Sequence, residues 1–160
     1  MSAANSKTET TAQDGLYAFG ILYQSDRFTE WENSKSNNYK IYRAEWNLRV
    51  AKRDAGKIPL NINVEVTTRC NLACTFCSHP SLTKEQTGDL PLELFSKVVE
   101  ESCSSGGIKA INLNGLGEPT LRKDLDEFIS IGKMHGAEEV MFHTNGTQFV
   151  SKEGSRFLRR

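Results

Sequence analysis

The chain has 160 residues, and its 20 lysines and arginines balance 20 aspartates and glutamates. That neutrality argues against bulk electrostatic attraction to nucleic acid or to an anionic membrane. No apolar run approaches the roughly 20 residues of a membrane-spanning helix. The opening MSAANSKTETTAQDG lacks the charged-then-apolar pattern of a secretory signal, and its Ser/Thr-rich composition predicts a disordered polar tail over residues 1–15. A cytoplasmic location is the expectation. In that reducing compartment clustered cysteines more often hold metal or do redox chemistry than form structural disulfides.

Residues 16–58 read as an N-terminal extension with one helix, over 39–54, in which Tyr42, Trp46 and Val50 recur on one face. Asn38 is a candidate cap, and Gly56 and Pro59 stop the helix. Arg43, Arg49, Lys52 and Arg53 read as a solvated face. From Pro59 the pattern becomes strand, helix, strand, helix, strand. LNINVEVT alternates, with Ile62, Val64 and Val66 on one side. A helix opened by Pro91 places Leu92, Phe95, Val98, Val99 and Ser102 at helical spacing, and Gly106 and Gly107 end it. KAINLN is the second strand and GLGEP a turn. LRKDLDEFISIGKMHG is the next helix, with Leu121, Leu125, Phe128 and Ile129 inward, followed by the strand EVMFHTNG. SKEGSRFLRR starts a third helical pattern. Strands separated by helices of this length predict an α/β fold of parallel βα units.

Strands covered on both faces by helices read as continuous apolar runs, and these do not. Asn63 and Glu65, Asn112 and Asn114, and His143 and Asn145 occupy alternate positions opposite Val64, Val66, Ile111, Leu113, Val140 and Phe142. A polar lumen on one face, as in an open or closed barrel, or a flat sheet with one solvent face would produce this parity.

In CNLACTFC, Cys70, Cys74 and Cys77 crowd into eight positions at the end of the first strand, where α/β folds place their chemistry. The thiols could be buried structural residues. They could hold zinc with His79 as fourth ligand, although structural zinc sites usually assemble two separated ligand pairs. Or they could hold an iron–sulfur cluster with one iron left open, for an electron carrier or a catalyst.

With that spacing and the aromatic Phe76 before the last cysteine, the segment resembles the radical S-adenosylmethionine (SAM) superfamily. GLGEP is similar to that family's GGEP motif at Gly117, Glu118 and Pro119. It departs at Leu116, with Gly115 one residue earlier. HTNGT resembles a stretch common in members carrying a C-terminal auxiliary-cluster (SPASM or twitch) domain. The resemblance covers about 60–147. It implies that residues 59–160 are an incomplete core domain, about three βα units of a partial (β/α) barrel of six. It implies a [4Fe–4S] cluster on Cys70, Cys74 and Cys77, whose open iron chelates SAM. Phe76 would contact adenine, and Gly115, Gly117, Glu118 and Asn145 would line the rest of the cofactor. Reductive cleavage to a 5′-deoxyadenosyl radical would then abstract hydrogen from a substrate, which could be a peptide, sugar or nucleoside. The resemblance also implies an electron donor such as a flavodoxin or ferredoxin, and that this chain does not turn over alone.

Other residues carry simpler expectations. Cys103 reads as core filler, and His135 as a last-turn residue favourable to the helix dipole. Glu65 is a buried hydrogen-bond partner or a lumen group. His143 is either a structural histidine or a contact for substrate or cofactor. Thr144 and Asn145 could equally build an Asn-Gly turn.

Overall fold

The computed structural model describes residues 26–104 and 106–150. The chain divides into two compact units, Met1–Lys35 and Ser36–Arg160. In the first, α1 (Asp26–Asn33) ends with the Ser34 hydroxyl donating to the Trp31 carbonyl at 2.6 Å, and the Lys35 ammonium stands 4.2 Å from the Trp31 ring. The sequence pattern does not reveal α1, so the extension holds two helices among the described residues. The expected tail over residues 1–15 and the third helix pattern at SKEGSRFLRR lie outside them.

The second unit opens with α2 (Asn37–Lys52). Its cap is Ser36 rather than Asn38, because the Ser36 hydroxyl is placed to accept from the Tyr39 N–H at 3.1 Å. The buried stripe is Tyr39 and Tyr42 with Trp46 packed beside them, while Val50 is 51% exposed. Arg49 is not merely solvated. It pairs with Glu45 at 2.7 Å and donates to the carbonyls of Ala55 and Ile58, tying down the loop that leads to the sheet.

That sheet is parallel, in the order β1 (Asn61–Asn63), β2 (Ala110–Asn112), β3 (Glu139–Met141). Ile62, Ile111 and Val140 align across it, as do Asn63, Asn112 and Met141. Each strand is shorter than its alternating pattern. Single bonds prolong the ladder, from Val64 N–H to Asn112 O and from Leu113 N–H to Met141 O. Beyond these the first strand leaves the sheet: Leu90 N–H reaches Val66 O, Thr68 N–H reaches Gly88 O, and Thr67 bridges antiparallel to Asp89.

The apolar face is the core. Val66, Ile111 and Leu113 are buried against Phe95 and Val99 of α3 (Leu92–Ser104) and Leu125 and Phe128 of α4 (Leu125–Met134), with Ile62, Val64, Val140 and Phe142 at its margin. The Phe95 and Phe128 rings pack 4.7 Å apart, and each such side chain contributes about 1.5–3 kcal/mol by leaving water. Val98, expected on this stripe, is 37% exposed, whereas Cys103 packs at the edge as predicted and burial pushes its thiol pKa up.

The helix expected from Leu121 begins at Leu125, because Pro119–Leu121 forms a 3₁₀ turn and Arg122 is extended. Arg122 is buried. It donates to the carbonyls of Val66 and Leu90 at 2.7 and 2.8 Å, forks onto Asp124, and lies 4.4 Å from the Phe128 ring. It pins the end of the first strand to the start of α4. Asp124 is held below the usual carboxylate range chiefly by the hydrogen bond from Arg122.

The opposite face is not open throughout. At its N-terminal row, Asn61, Ala110 and Glu139, α2 covers the sheet. Tyr39 and Tyr42 donate their hydroxyls to the two oxygens of Glu139 at 3.1 and 2.9 Å. Burial, then the bond to Glu139, pushes the Tyr42 hydroxyl up to about 12. The expected polar lumen is confined to the carboxyl half of the face, where Asn63 and His143 are exposed and Asn114 and Glu65 half-buried.

Candidate functional site

All three clustered thiols are free and half-buried, just past the carboxyl end of the first strand. The loop turns tightly, with Cys77 N–H donating to Cys74 O at 3.1 Å, and His79 N–H donates to the Cys77 sulfur at 3.4 Å. In iron–sulfur proteins, hydrogen bonds to the sulfurs tune the cluster's reduction potential. Among the described residues no three His, Cys, Asp or Glu side chains gather about one point that would hold a single metal ion. His79 is therefore not assembled with the thiols as a four-ligand zinc site, and its Nδ1 is buried without a hydrogen-bond partner. A cluster takes one thiolate per iron and does not need such convergence. Phe76 stands 92% exposed on this loop, and Leu72 is 40% exposed.

The loop is anchored at its start. Arg69 forks onto Asp89 at 2.9 and 2.6 Å, and the Thr67 hydroxyl donates to the same carboxylate at 2.6 Å. Burial opposes the Asp89 charge, but the bonds from Thr67 and Arg69 outweigh it and hold the carboxyl low. The Gly88 N–H donates to the Thr68 hydroxyl at 2.7 Å, which completes the clamp.

GLGEP closes over this anchor. Glu65 accepts from the N–H groups of Leu116 and Gly117, and the Glu118 N–H donates to Arg69 O at 2.8 Å. Gly117 lies so close to the cluster loop that a Cβ there would sit 2.0 Å from the Thr67 carbonyl oxygen. One on Gly115 would sit 2.2 Å from the Glu65 carboxylate. Both glycines thus serve close approach of protein to protein, and Glu65 is the hydrogen-bond partner that its parity allowed.

Glu118 faces inward, 3% exposed. Its carboxylate accepts from Thr120 N–H and hydroxyl at 3.1 and 2.5 Å, from the Thr144 hydroxyl at 2.7 Å, and from Asn145 N–H at 2.7 Å. Burial alone would raise its pKa. The bonds from Asn145, Thr120 and Thr144 prevail and keep it below the usual carboxylate range. Asn145 in turn donates its amide to Asn71 at 2.9 Å, and Asn71 donates to the Thr147 hydroxyl at 2.8 Å, which donates back to Asn145 at 2.7 Å. The cysteine loop, GLGEP and HTNGT are thereby one hydrogen-bonded body. Gly146, at φ 74°, makes the turn that Asn-Gly predicts.

The structure brings Cys70, Cys74, Cys77, Gly115, Gly117, Glu118 and Asn145 to one end of the sheet, and places Phe76 on the loop's outer surface. Sequence reasoning misses Asn71, Thr67, Arg69, Asp89 and Thr120. Thr67, Arg69, Asn71 and Thr120 at least stand beside a motif, whereas Asp89 has no local signal, its partners Thr67 and Arg69 lying 22 and 20 residues away.

With this geometry in place, the comparisons are consistent. Residues 64–155 match the Radical SAM superfamily, and the chain belongs to it. Members of that superfamily use a [4Fe–4S] cluster and SAM. The chain is 33% identical over 103 residues to a probable GTP 3′,8-cyclase of Methanopyrus kandleri, a match covering 64% of the chain and 32% of that protein. It is 35% identical over 88 residues to the PqqA peptide cyclase of Bradyrhizobium diazoefficiens, covering 55% of the chain and 21% of that protein. The crystal structure of BtrN in complex with AdoMet and 2-DOIA superposes with a TM-score of 0.55 at 27% identity, over 64% of this chain and 42% of that one. The matches to these curated relatives span about a third of their length or less.

Proposed function

We propose that Cys70, Cys74 and Cys77 hold a [4Fe–4S] cluster and that the adjoining turns hold SAM, within an enzyme that abstracts hydrogen from its substrate. The single observation that carries this is the hydrogen-bonded body around three free thiols. The donor set also fits: three thiolates satisfy three irons and leave a fourth for a ligand. The chemistry supplied by the pair when bound is one-electron cleavage of the sulfonium and hydrogen abstraction from substrate.

This chain's residues have definable tasks. Within the GLGEP turn, the N–H groups of Leu116, Gly117 and Glu118 are turned inward onto Glu65 and Arg69 O. The turn's carbonyl oxygens then present acceptors suited to an ammonium, so Gly115 and Gly117 act through their backbone. Glu118 and Asn145 act by holding the turns together, Glu118 with its carboxylate spent internally. Phe76, exposed on the cysteine loop, offers an edge and backbone to an adenine. Asn63, Asn114 and His143 line the polar half of the sheet where substrate would lie. Among the described residues no helix is long and apolar enough to cross a membrane. A flavodoxin- or ferredoxin-like electron donor is the partner that the chemistry requires, in the cytoplasm, and the substrate is a peptide, sugar or nucleoside rather than a nucleic acid.

The test is anaerobic reconstitution of the full-length protein. SAM should perturb the electron paramagnetic resonance signal of the reduced cluster and release methionine and 5′-deoxyadenosine. An unperturbed spectrum at saturating SAM, with the cluster intact, would leave an electron carrier as the better reading. Stoichiometric zinc in protein purified without oxygen would sink the cluster itself.

A further inference from the structure

Asn114 follows the buried Leu113, and His143 follows Phe142, which packs at the core margin, so both side chains lie on the polar face. Their contact fixes chemistry that neither residue fixes alone. The His143 N–H donates to Asn114 Oδ1 at 2.6 Å, and Asn114 Nδ2 donates to the His143 carbonyl at 3.1 Å. A backbone N–H can only donate and a carbonyl can only accept, so the amide's orientation is set. The same Oδ1 lies 3.1 Å from His143 Nδ1. Two acceptors do not approach so closely without a proton between them, so Nδ1 carries the hydrogen. In the neutral ring Nε2 then bears a lone pair, and the described residues give it no partner. On the same face Asn112 Oδ1 is buried with no hydrogen-bond partner. An unmet acceptor in such a place is costly unless a ligand or water supplies a donor.

Resting on the function proposed above, we propose that His143 is a substrate-contacting residue. Asn114 locks it with Nε2 as an acceptor, and it receives a hydrogen bond from a hydroxyl or amino group of a polyhydroxylated small substrate of the sugar or nucleoside class. A buried acceptor without a partner, Asn112 Oδ1, and an exposed imidazole lone pair on the same polar face suit a ligand rich in O–H and N–H donors. A ribose or an amino sugar carries several within a few ångströms.

The test uses the full-length protein, isotopically labelled at histidine, with its cluster oxidised. At pH 8 the ¹⁵N resonances of His143, assigned through His143→Gln, should show Nδ1 protonated and Nε2 bare. Asn114→Ala should shift the ring toward the Nε2–H tautomer. A wild-type ring already in that tautomer, or one indifferent to Asn114→Ala, overturns the lock whether or not SAM is cleaved. GTP and glucosamine are the probes for the ligand class. At least one should move the Nε2 resonance toward its hydrogen-bonded position, and in a separate assay with SAM present and the cluster reduced by dithionite that probe should stimulate 5′-deoxyadenosine release. His143→Phe should raise the half-saturating probe concentration about tenfold, the worth of one hydrogen bond, with a smaller change at saturation. His143→Gln, which keeps an acceptor, should recover most of that loss. Movement with neither probe, or only with a short peptide, overturns the substrate assignment. Failure of SAM cleavage with the tautomer intact points instead at the proposed function.

Discussion

The two ends of the polar face are built from the same alternating positions and finished in opposite ways. At the N-terminal end α2 covers the row, and two tyrosine hydroxyls satisfy both oxygens of Glu139. At the carboxyl end no helix among the described residues covers the face. Loops there bond to one another through Glu65, Glu118 and Asn145, while the thiols are free and half-buried and the His143 imidazole is exposed. Closing one end gives stability. Leaving the other uncovered requires that loop order come from hydrogen bonds rather than burial, so damage at the two ends should be felt differently.

The largest expected effect is at the uncovered end. Replacing Cys70, Cys74 or Cys77 by Ala should reduce bound iron and sulfide in the reconstituted protein to background, with little change in thermal stability of the metal-free form. Cys103→Ala should keep its iron, because that thiol packs against the core. Equal iron loss from Cys103→Ala would erase the distinction between the two regions.

Next in size is the contact between turn and loop. Gly117→Ala would thrust a Cβ to 2.0 Å from the Thr67 carbonyl oxygen and 3.0 Å from that of Arg69, both backbone atoms that cannot swing aside. A cost of about 3 kcal/mol is expected by denaturant titration, at the upper end for overpacking. Gly115→Ala should cost less, because it meets only the flexible Glu65 side chain, and Gly88→Ala, with nothing within 4 Å, should be near neutral. A Gly117→Ala variant as stable as wild type would mean that the turn does not rest on the cysteine loop.

Glu118→Gln is smaller still, about 1–2 kcal/mol, the difference between hydrogen bonds to a charged and to a neutral acceptor. The folded-state pKa lies below the unfolded one, so this stabilisation is present above the ordinary carboxylate pKa near 4.5. Below it the unfolded state binds the extra proton, and the stabilisation is lost as pH falls through the folded value. The variant and wild-type stability curves should therefore converge at low pH. Because Asp89 and Asp124 also titrate low, the difference between the curves is the quantity to measure.

What could be read in advance follows the range of the interactions. The alternation of Ile62, Val64 and Val66 and the helical spacing of Phe95 and Val99 are local patterns, and the core is built from them. The thiol spacing and GLGEP are local too, and they converge. Arg122 carries no local signal of its buried role, because its acceptors, Val66 O and Leu90 O, lie 56 and 32 residues away. Glu118 reads as a ligand-facing carboxylate because Thr144 and Asn145, which occupy it, arrive from the next strand. The stripe on α2 departs from its expected course at Val50, which is exposed, because the surface α2 meets is the sheet's polar side, where tyrosine hydroxyls find Glu139.

The smallest effect sharpens the comparison from the covered end. Tyr42→Phe removes one hydroxyl from Glu139 and leaves Tyr39 in place, so a loss of about 1 kcal/mol is expected at neutral pH. Above pH 10 the sign should turn. The Tyr42 hydroxyl holds its proton in the folded protein up to about 12, against 10 when unfolded, so the folded state binds more protons through that window and wild type loses stability as pH rises. Phenylalanine has no such proton to lose, and two pKa units correspond to about 2.7 kcal/mol. The variant should accordingly overtake wild type between pH 10 and pH 12 in denaturant titrations. Its iron and sulfide content after reconstitution should match wild type throughout, because α2 touches the sheet at the end away from the thiols. A constant difference across that pH range would show that the tyrosine is not buried against Glu139, and lost iron would show that the two ends are coupled.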